Sequence, residues 1–237
     1  MKEPGPLLPP LPPLPLQGIR AAIIDLDGTM VHTTPDFTVA INRMREDICL
    51  PPLSIETITE FVGKGSEHLM RSVLGVDFNG NDVDRRFAEA MASYQRHYLA
   101  INGDYSHVYP GVAEGLCAMQ TRGLRLACVT NKPIALARPL LEKKGLLSYF
   151  EVVYGGDSLP KKKPDPLPMQ TVCSDFGLSP HQVVAIGDSS NDAQAARAAG
   201  CRSLTVPYGY NHGQPVQSID SDGIVETLFY AADLLAA

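Results

Sequence analysis

The stretch "IRAAIIDLDGT", residues 19 to 29, decides how the rest of the chain is to be read. It opens as a short apolar run with β-branched residues, which predicts a buried strand. It ends on two carboxylates, Asp25 and Asp27, followed at once by Gly28 and Thr29. The i, i+2 spacing puts both acids on one face while the chain is still extended. Gly28 and Thr29 supply a turn whose backbone N–H groups can point at an anion. Two unpaired carboxylates held side by side repel, and one takes up a proton unless a cation lies between them. A hard divalent cation with oxygen ligands removes the conflict. A DxD alone also occurs as a surface turn or helix cap, so a metal reading depends on the strand ends further along the chain.

Residues from about Thr33 to Tyr105 are polar and helical in pattern. Within them "FTVAINRMREDI", "IETITEFVGKGSEHLMRSVLG" and "DVDRRFAEAMASYQRHYLA" predict three or so amphipathic helices, broken by "LPPLS" and "DFNGND". After "VYPG" the rhythm alternates. The strands are "LRLACVTN", "FEVVYGGD", "VVAIGD" and "RSLTVPYG". The helices between them include "PIALARPLLEKKG", with Pro133 suited to its first turn and Gly145 to its C-terminal cap. This is the pattern of an α/β fold with a doubly wound parallel-sheet, Rossmann-like core. The helical stretch is inserted after the first strand. The expected division is a core of residues 18–32 and 106–237 and an inserted α-helical cap domain of residues 33–105.

Open parallel sheets bind ligands outside the carboxyl ends of their strands. The polar residues there are Asp25 and Asp27, Thr130 and Asn131, then Asp188 with Asp192 one helical turn later. Asp188 can complete a cation site and Asp192 can orient its ligands. Thr130 and the N–H of Asn131 can hold a phosphoryl oxygen. "PKKKPDP" offers Lys161, Lys162 and Lys163, either as a solvated loop or with one lysine balancing the carboxylates.

Taken together, "DLDGT", "VTN", "KKKPDP" and "GDSSND" resemble the four motifs of the haloacid dehalogenase superfamily, in its Mg2+-dependent phosphatase branch. The resemblance spans residues 18 to 237. It implies that Asp25 is the nucleophile and becomes an aspartyl phosphate. Asp27 would protonate the leaving alkoxide and then activate water. It implies a Mg2+ held by Asp25, the main-chain carbonyl of Asp27 and Asp188. Thr130 and Asn131 would bind the phosphoryl group, and Lys163 would neutralise the transition state and fix Asp25. Ser189 and Asn191 would support the loop, with Asp192 behind them. Dehalogenation is disfavoured, because that branch keeps no acid at the position of Asp27.

The inserted segment "FVGKGSEHLM" resembles the cap loop that approaches the active site in small-substrate members. It implies Gly63, Lys64 and Gly65 as substrate-binding residues, with Lys64 either meeting a substrate carboxylate or simply solvated. "GLRLACVTNKP", "VVYGGDSLPKKKPDPLPM" and "TVPYGYNHG" look like bacterial phosphoglycolate phosphatases. The expected reaction is hydrolysis of 2-phosphoglycolate. Alternatives are another small phosphate, such as a sugar phosphate or N-acetylmuramic acid 6-phosphate, a phosphoglucomutase, or a catalytically silent binding protein. Met30 and His32 depart from the family pattern, in which leucine and an acid are expected.

The resemblance implies an enzyme acting on a small phosphorylated metabolite, as a monomer or homodimer. The 237 residues, 44% hydrophobic and 19% charged, suit a globular chain with a sizeable core. A formal charge of −6 gives no footprint for nucleic acid. No apolar run approaches the length of about 18 residues that spans a membrane. The five cysteines are scattered without a CxxC pair, as expected of reduced thiols in the cytoplasm. Seven prolines between Pro4 and Pro15 predict an extended, disordered N-terminal extension over residues 1–17, or a ligand for an aromatic-lined groove.

Overall fold

The computed structural model describes residues 16–235, so the proline-rich start up to residue 15 lies outside the described residues. Strand β1 (Ala21–Ile24) is followed by a two-residue strand, β2 (Val31–His32). Four helices come next: α1 (Thr34–Asp47), α2 (Ile55–Phe61), α3 (Ser66–Gly75) and α4 (Gly80–Ile101). After β3 (His107–Val108) the order is α5 (Val112–Thr121), β4 (Arg125–Val129), α6 (Ile134–Lys143), β5 (Val152–Tyr154) and α7 (Leu167–Phe176). It closes with β6 (Val183–Gly187), α8 (Ser190–Ala199), β7 (Arg202–Thr205), β8 (Gly223–Ile224) and α9 (Leu228–Leu234).

The main sheet has the order β5-β4-β1-β6-β7-β8, and its paired strands run parallel. Its side chains divide by strict alternation, as a pleated strand requires. Ala22, Ile24, Leu126, Cys128, Val184 and Ile186 pack on one face with α5, α6 and α9. Ala21, Ile23, Ala127, Val129, Val183 and Ala185 pack on the other with α7 and α8. Both faces of β1 are therefore buried, and each of its isoleucines contributes about 1.5–3 kcal/mol by leaving water. The chain passes from β1 to β4 on one side and later to β6 on the other. The carboxyl ends of these three strands consequently converge on one crevice.

The helices α1–α4 enclose a core of their own around Phe37, Ile41, Met44, Met70, Tyr94 and Tyr98. The sequence reading of residues 55–75 as one helix is corrected here. The segment splits at Val62–Gly65, where Gly63 (φ 105°) and Gly65 (φ 91°) adopt backbone that helical residues cannot. Four helices replace the expected three. Pro133 stands at the N-cap of α6, one position ahead of the first turn, where its extended ψ of 139° suits an entry residue.

Two connections join the helical body to the sheet. They pair as an antiparallel ribbon, β2 with β3, in the register Val31↔Val108 and His32↔His107. Two-residue strands have no periodicity, so sequence pattern did not disclose them. Asp36, fully buried in the first turn of α1, accepts the N–H of Gly103 at 2.9 Å and of Tyr105 at 2.8 Å. One carboxylate thus binds the outgoing connection to the returning one.

Candidate active site

Asp25 follows β1 directly, and its N–H still donates to the Ile186 carbonyl of β6 at 3.0 Å, so the sheet ladder fixes its direction. Thr130 follows β4 and donates its N–H to Tyr154 at 3.0 Å, while Asp188 follows β6. The three strand ends bring Asp25, Thr130 and Asp188 to one crevice, with Asp27, Asn131 and Asp192 just beyond them.

Lys163 is the cation at their centre. Only 3% exposed, its Nζ donates to Asp25 Oδ1 at 2.9 Å, Asp192 Oδ1 at 2.6 Å and the Val129 carbonyl at 2.7 Å. Burial alone would weaken its charged form, but Asp192 and Asp25 outweigh that and hold its proton more tightly than usual. The peptide bond after it, Lys163–Pro164, is cis. Asp192 spends its other oxygen on the N–H and hydroxyl of Ser189, at 3.2 and 2.7 Å, which caps α8.

Carboxylate oxygens of Asp25, Asp188 and Asp192 lie within 4.8 Å of one another. Three acids share one ammonium, and the imbalance is visible in their proton affinities. Burial pushes the Asp25 carboxyl up to about 7 although Lys163 pulls the other way. Burial, then the charges of Asp192 and Asp25, holds Asp188 well above the usual carboxylate range. Asp188 is nonetheless fully oriented. It accepts the Thr29 hydroxyl at 2.7 Å and the Tyr210 N–H.

The space around Asp188 is tight. A Cβ at Gly209 would stand 2.2 Å from the Asp188 Cβ, and one at Gly28 would stand 2.3 Å from its carboxylate oxygen. Gly209→Ala is therefore expected to push Asp188 out of line. It should lower both thermal stability and affinity for a divalent cation, read by melting curves with and without the cation. An unchanged pair of curves would refute the packing argument.

Asp27 belongs to a different pairing. Its carboxylate accepts Lys132 Nζ at 3.1 Å, and that ammonium also donates to the Tyr98 hydroxyl at 2.6 Å. The Asp27 carboxylate is not part of the acidic triad. Above Asp25 and Asp27 lies a cavity with Thr130, Asn131 and Lys132 on its sheet side. Phe37, Val62, Leu69 and Tyr94 of the helical body form its apolar wall.

The expected cap loop reaches this cavity only in part. Gly63 and Gly65 line it, and the Gly63 carbonyl accepts the side-chain amides of Asn131 at 3.1 Å and Asn191 at 3.3 Å. Lys64 is exposed and outside the cavity lining. Its carbonyl takes Lys162 Nζ at 3.0 Å. Asn131 also donates to the Lys163 carbonyl at 2.9 Å, so its side-chain amide is committed to structure.

Sequence reasoning missed Lys132, Tyr98 and Tyr210. Lys132 was visible as the lysine of "TNKP", three residues past the end of β4, where a side chain can reach the crevice. Tyr210 lies in "TVPYGYNHG", which carried the resemblance but pointed to no residue. Its hydroxyl accepts the N–H groups of Thr33 at 2.9 Å and Thr34 at 3.2 Å and pairs with His32 Nδ1 at 2.7 Å. His32 thus faces the connection to the helical body, with His107 and Tyr109 beside it. Burial, then the neighbouring His107, makes it harder to protonate than a free histidine.

Comparison with known proteins agrees with this arrangement. Residues 19–200 match the family model of the haloacid dehalogenase-like hydrolases. A phosphoglycolate phosphatase of Nitrosospira multiformis is 47% identical over 94% of this chain and 97% of its own. One from Thiobacillus denitrificans is 46% identical over 93% and 96%. A crystal structure of a predicted phosphoglycolate phosphatase from Haemophilus somnus superposes with a TM-score of 0.86 and 32% identity, over 92% of this chain and 99% of that one.

Proposed function

Because this chain belongs to the haloacid dehalogenase-like hydrolases and is a phosphatase, we propose that it hydrolyses 2-phosphoglycolate to glycolate and phosphate, with Mg2+ and through an aspartyl phosphate. The observation that carries this reading is the placement of Asp25. It lies at the floor of the cavity, 2.9 Å from Lys163, with a second acid, Asp27, two residues on. Two relatives that align over almost their whole length are named for this substrate.

A carboxylate oxygen of Asp25 attacks phosphorus, the bond from phosphorus to the glycolate oxygen breaks, and Asp27 gives that oxygen its proton. Asp27 then takes a proton from water, whose oxygen attacks the same phosphorus and releases Asp25. Thr130 already accepts the Lys132 N–H at 3.2 Å, which leaves its own hydroxyl hydrogen to donate to a phosphoryl oxygen. The main-chain N–H of Asn131 supplies a second donor. Lys163 fixes Asp25 and balances charge on the transferring group. The helical body acts as a cap over residues 33–105 and excludes water from the reacting atoms.

The residues present fit a divalent cation. Three clustered acids, Asp188 and Asp192 buried and Asp25 partly so, have a single ammonium and lack positive charge, and the raised proton affinities of Asp25 and Asp188 express that lack. Asp25, Asp188 and the Asp27 carbonyl would hold the ion, while Asp192 is already engaged by Lys163 and Ser189. Mg2+ bound there supplies charge that offsets the phosphoryl oxygens.

Phosphate release from a panel of 2-phosphoglycolate, sugar phosphates, nucleoside monophosphates and pyrophosphate, compared by kcat/KM, tests the substrate. 2-Phosphoglycolate should lead it, and a better substrate of another class would overturn the choice. EDTA should stop turnover and Mg2+ restore it. Stability carries an independent sign. Asp25 binds its proton more tightly folded than unfolded, so the metal-free protein loses stability as pH rises from about 4 to about 7. The cation displaces that proton, so the rise in melting temperature on adding Mg2+ should be larger at pH 8 than at pH 5. An equal rise would count against these ligands.

No helix among the described residues is long and apolar enough to cross a membrane. All five cysteines are free thiols, which fits a reducing compartment, and a cytoplasmic location belongs to the same reading.

A further inference from the structure

Lys132 has no part in the proposed reaction, yet it is the cation in the cavity wall. It is 4% exposed and lies over the rings of Phe37, at 4.6 Å, and Tyr98, at 4.7 Å. Burying an ammonium this deeply is costly unless its donors are used. An ammonium has three N–H donors. Asp27, accepting at 3.1 Å, and the Tyr98 hydroxyl, at 2.6 Å, take two of them. The third has no acceptor beyond the second Asp27 oxygen, at 3.4 Å, and Lys132 lines the cavity.

Three other lysines lie near the site, and none of them lines the cavity: Lys162 is beside Gly65 and donates to the Lys64 carbonyl at 3.0 Å. Lys163 is engaged on three sides, donating to Asp192 and the Val129 carbonyl and ion-paired with Asp25 at 2.9 Å. Lys64 is exposed and does not line the cavity.

Spacing points the same way. In the proposed reaction, the ester oxygen of the substrate meets Asp27. In a phosphate ester of the form O–CH2–COO⁻, a carboxylate oxygen lies roughly 3 Å from the ester oxygen by ordinary bond lengths. That matches the 3.1 Å from Asp27 to the Lys132 ammonium. An ester oxygen held at Asp27 therefore puts a carboxylate two bonds away within reach of Lys132. We infer that Lys132 is the residue that selects a carboxylate-bearing two-carbon phosphomonoester, by donating its remaining N–H to the substrate carboxylate. The inference rests on the phosphatase reading and adds the residue that sets its specificity.

The test compares 2-phosphoglycolate with ethyl phosphate, which has the same carbon chain without the carboxylate, on the full chain with Mg2+. The wild type should prefer 2-phosphoglycolate in kcat/KM by about 10- to 100-fold, the range of one hydrogen bond to a charged group. Lys132→Met should bring that ratio close to one, and Lys132→Arg should keep part of it. Lys132→Gln retains a donor for Asp27 and Tyr98 without the charge, and reads the same ratio should the Met variant fail to fold. A wild type that turns over both esters equally well would overturn the inference and leave the phosphatase standing. So would a Met or Gln variant that loses both activities by the same factor, since Lys132 would then only position Asp27. A wild type that releases phosphate from neither ester would refute the phosphatase reading, and the inference with it.

Discussion

Asp25→Asn should lower kcat for 2-phosphoglycolate by about 10⁴-fold or more, the scale seen when a member of a covalent catalytic unit is removed. The amide has the shape of the carboxylate but cannot form the acyl phosphate. The fold should not suffer. Burial already disfavours the charged form of Asp25, so a neutral side chain there relieves the metal-free protein of part of its excess negative charge. At pH 8 in EDTA the variant should melt at or above the temperature of the wild type. Phosphate release and a melting curve on one preparation check both halves. Substantial turnover by a well-folded Asp25→Asn would mean that another group attacks phosphorus.

Lys163→Met should be the most destabilising single change at the site. It removes the one ammonium shared by Asp25 and Asp192 and leaves the Val129 carbonyl without its donor. Breaking a buried pair by deleting one partner costs about 3–5 kcal/mol. The loss should depend on pH in a definite direction. Without the lysine the carboxylates bind protons still more tightly folded than unfolded. Such groups contribute stability at low pH that disappears as pH rises through their folded values. The gap between variant and wild type should be wide at pH 8 and narrower at pH 5, by urea unfolding in EDTA. Equal stability at pH 8 would mean that the cluster does not depend on Lys163. Activity should be lost at both values, because Asp25 is no longer held beneath the cavity.

The legible part of this molecule was its strand ends. Buried parallel strands read as short apolar runs, and the first polar residue after each run marks the catalytic edge, so Asp25, Thr130 and Asp188 could be placed by chain position alone. Helix α4 was equally plain, since its 22 residues sustain one apolar face. What escaped had no local signature. The β2–β3 ribbon consists of two residues on each side, joined by pairing alone across the whole helical insertion. The break between α2 and α3 falls in "VGKG", where apolar spacing continues through the gap and only the glycine conformations interrupt it. Lys132 and Lys64 show the same limit in chemistry. Both are lysines near glycine or proline, and only tertiary burial separates the one in the cavity wall from the one in solvent.

Asp36 has a bearing on how such proteins can be recombined. The four helices look like a module that begins near residue 33 and ends near 105, but that acid joins the outgoing chain to the amides of Gly103 and Tyr105. A foreign module spliced in between Asp36 and Gly103 would inherit half of that junction and leave a buried carboxylate facing unfamiliar backbone. Splices at Met30 and Tyr109 avoid this, because those two residues bond to each other, Tyr109 N–H to the Met30 carbonyl at 3.0 Å, within the recipient. The transferable unit is residues 31–108, ribbon and clasp included, and chimaeras built to that boundary should fold without having to re-evolve the joint.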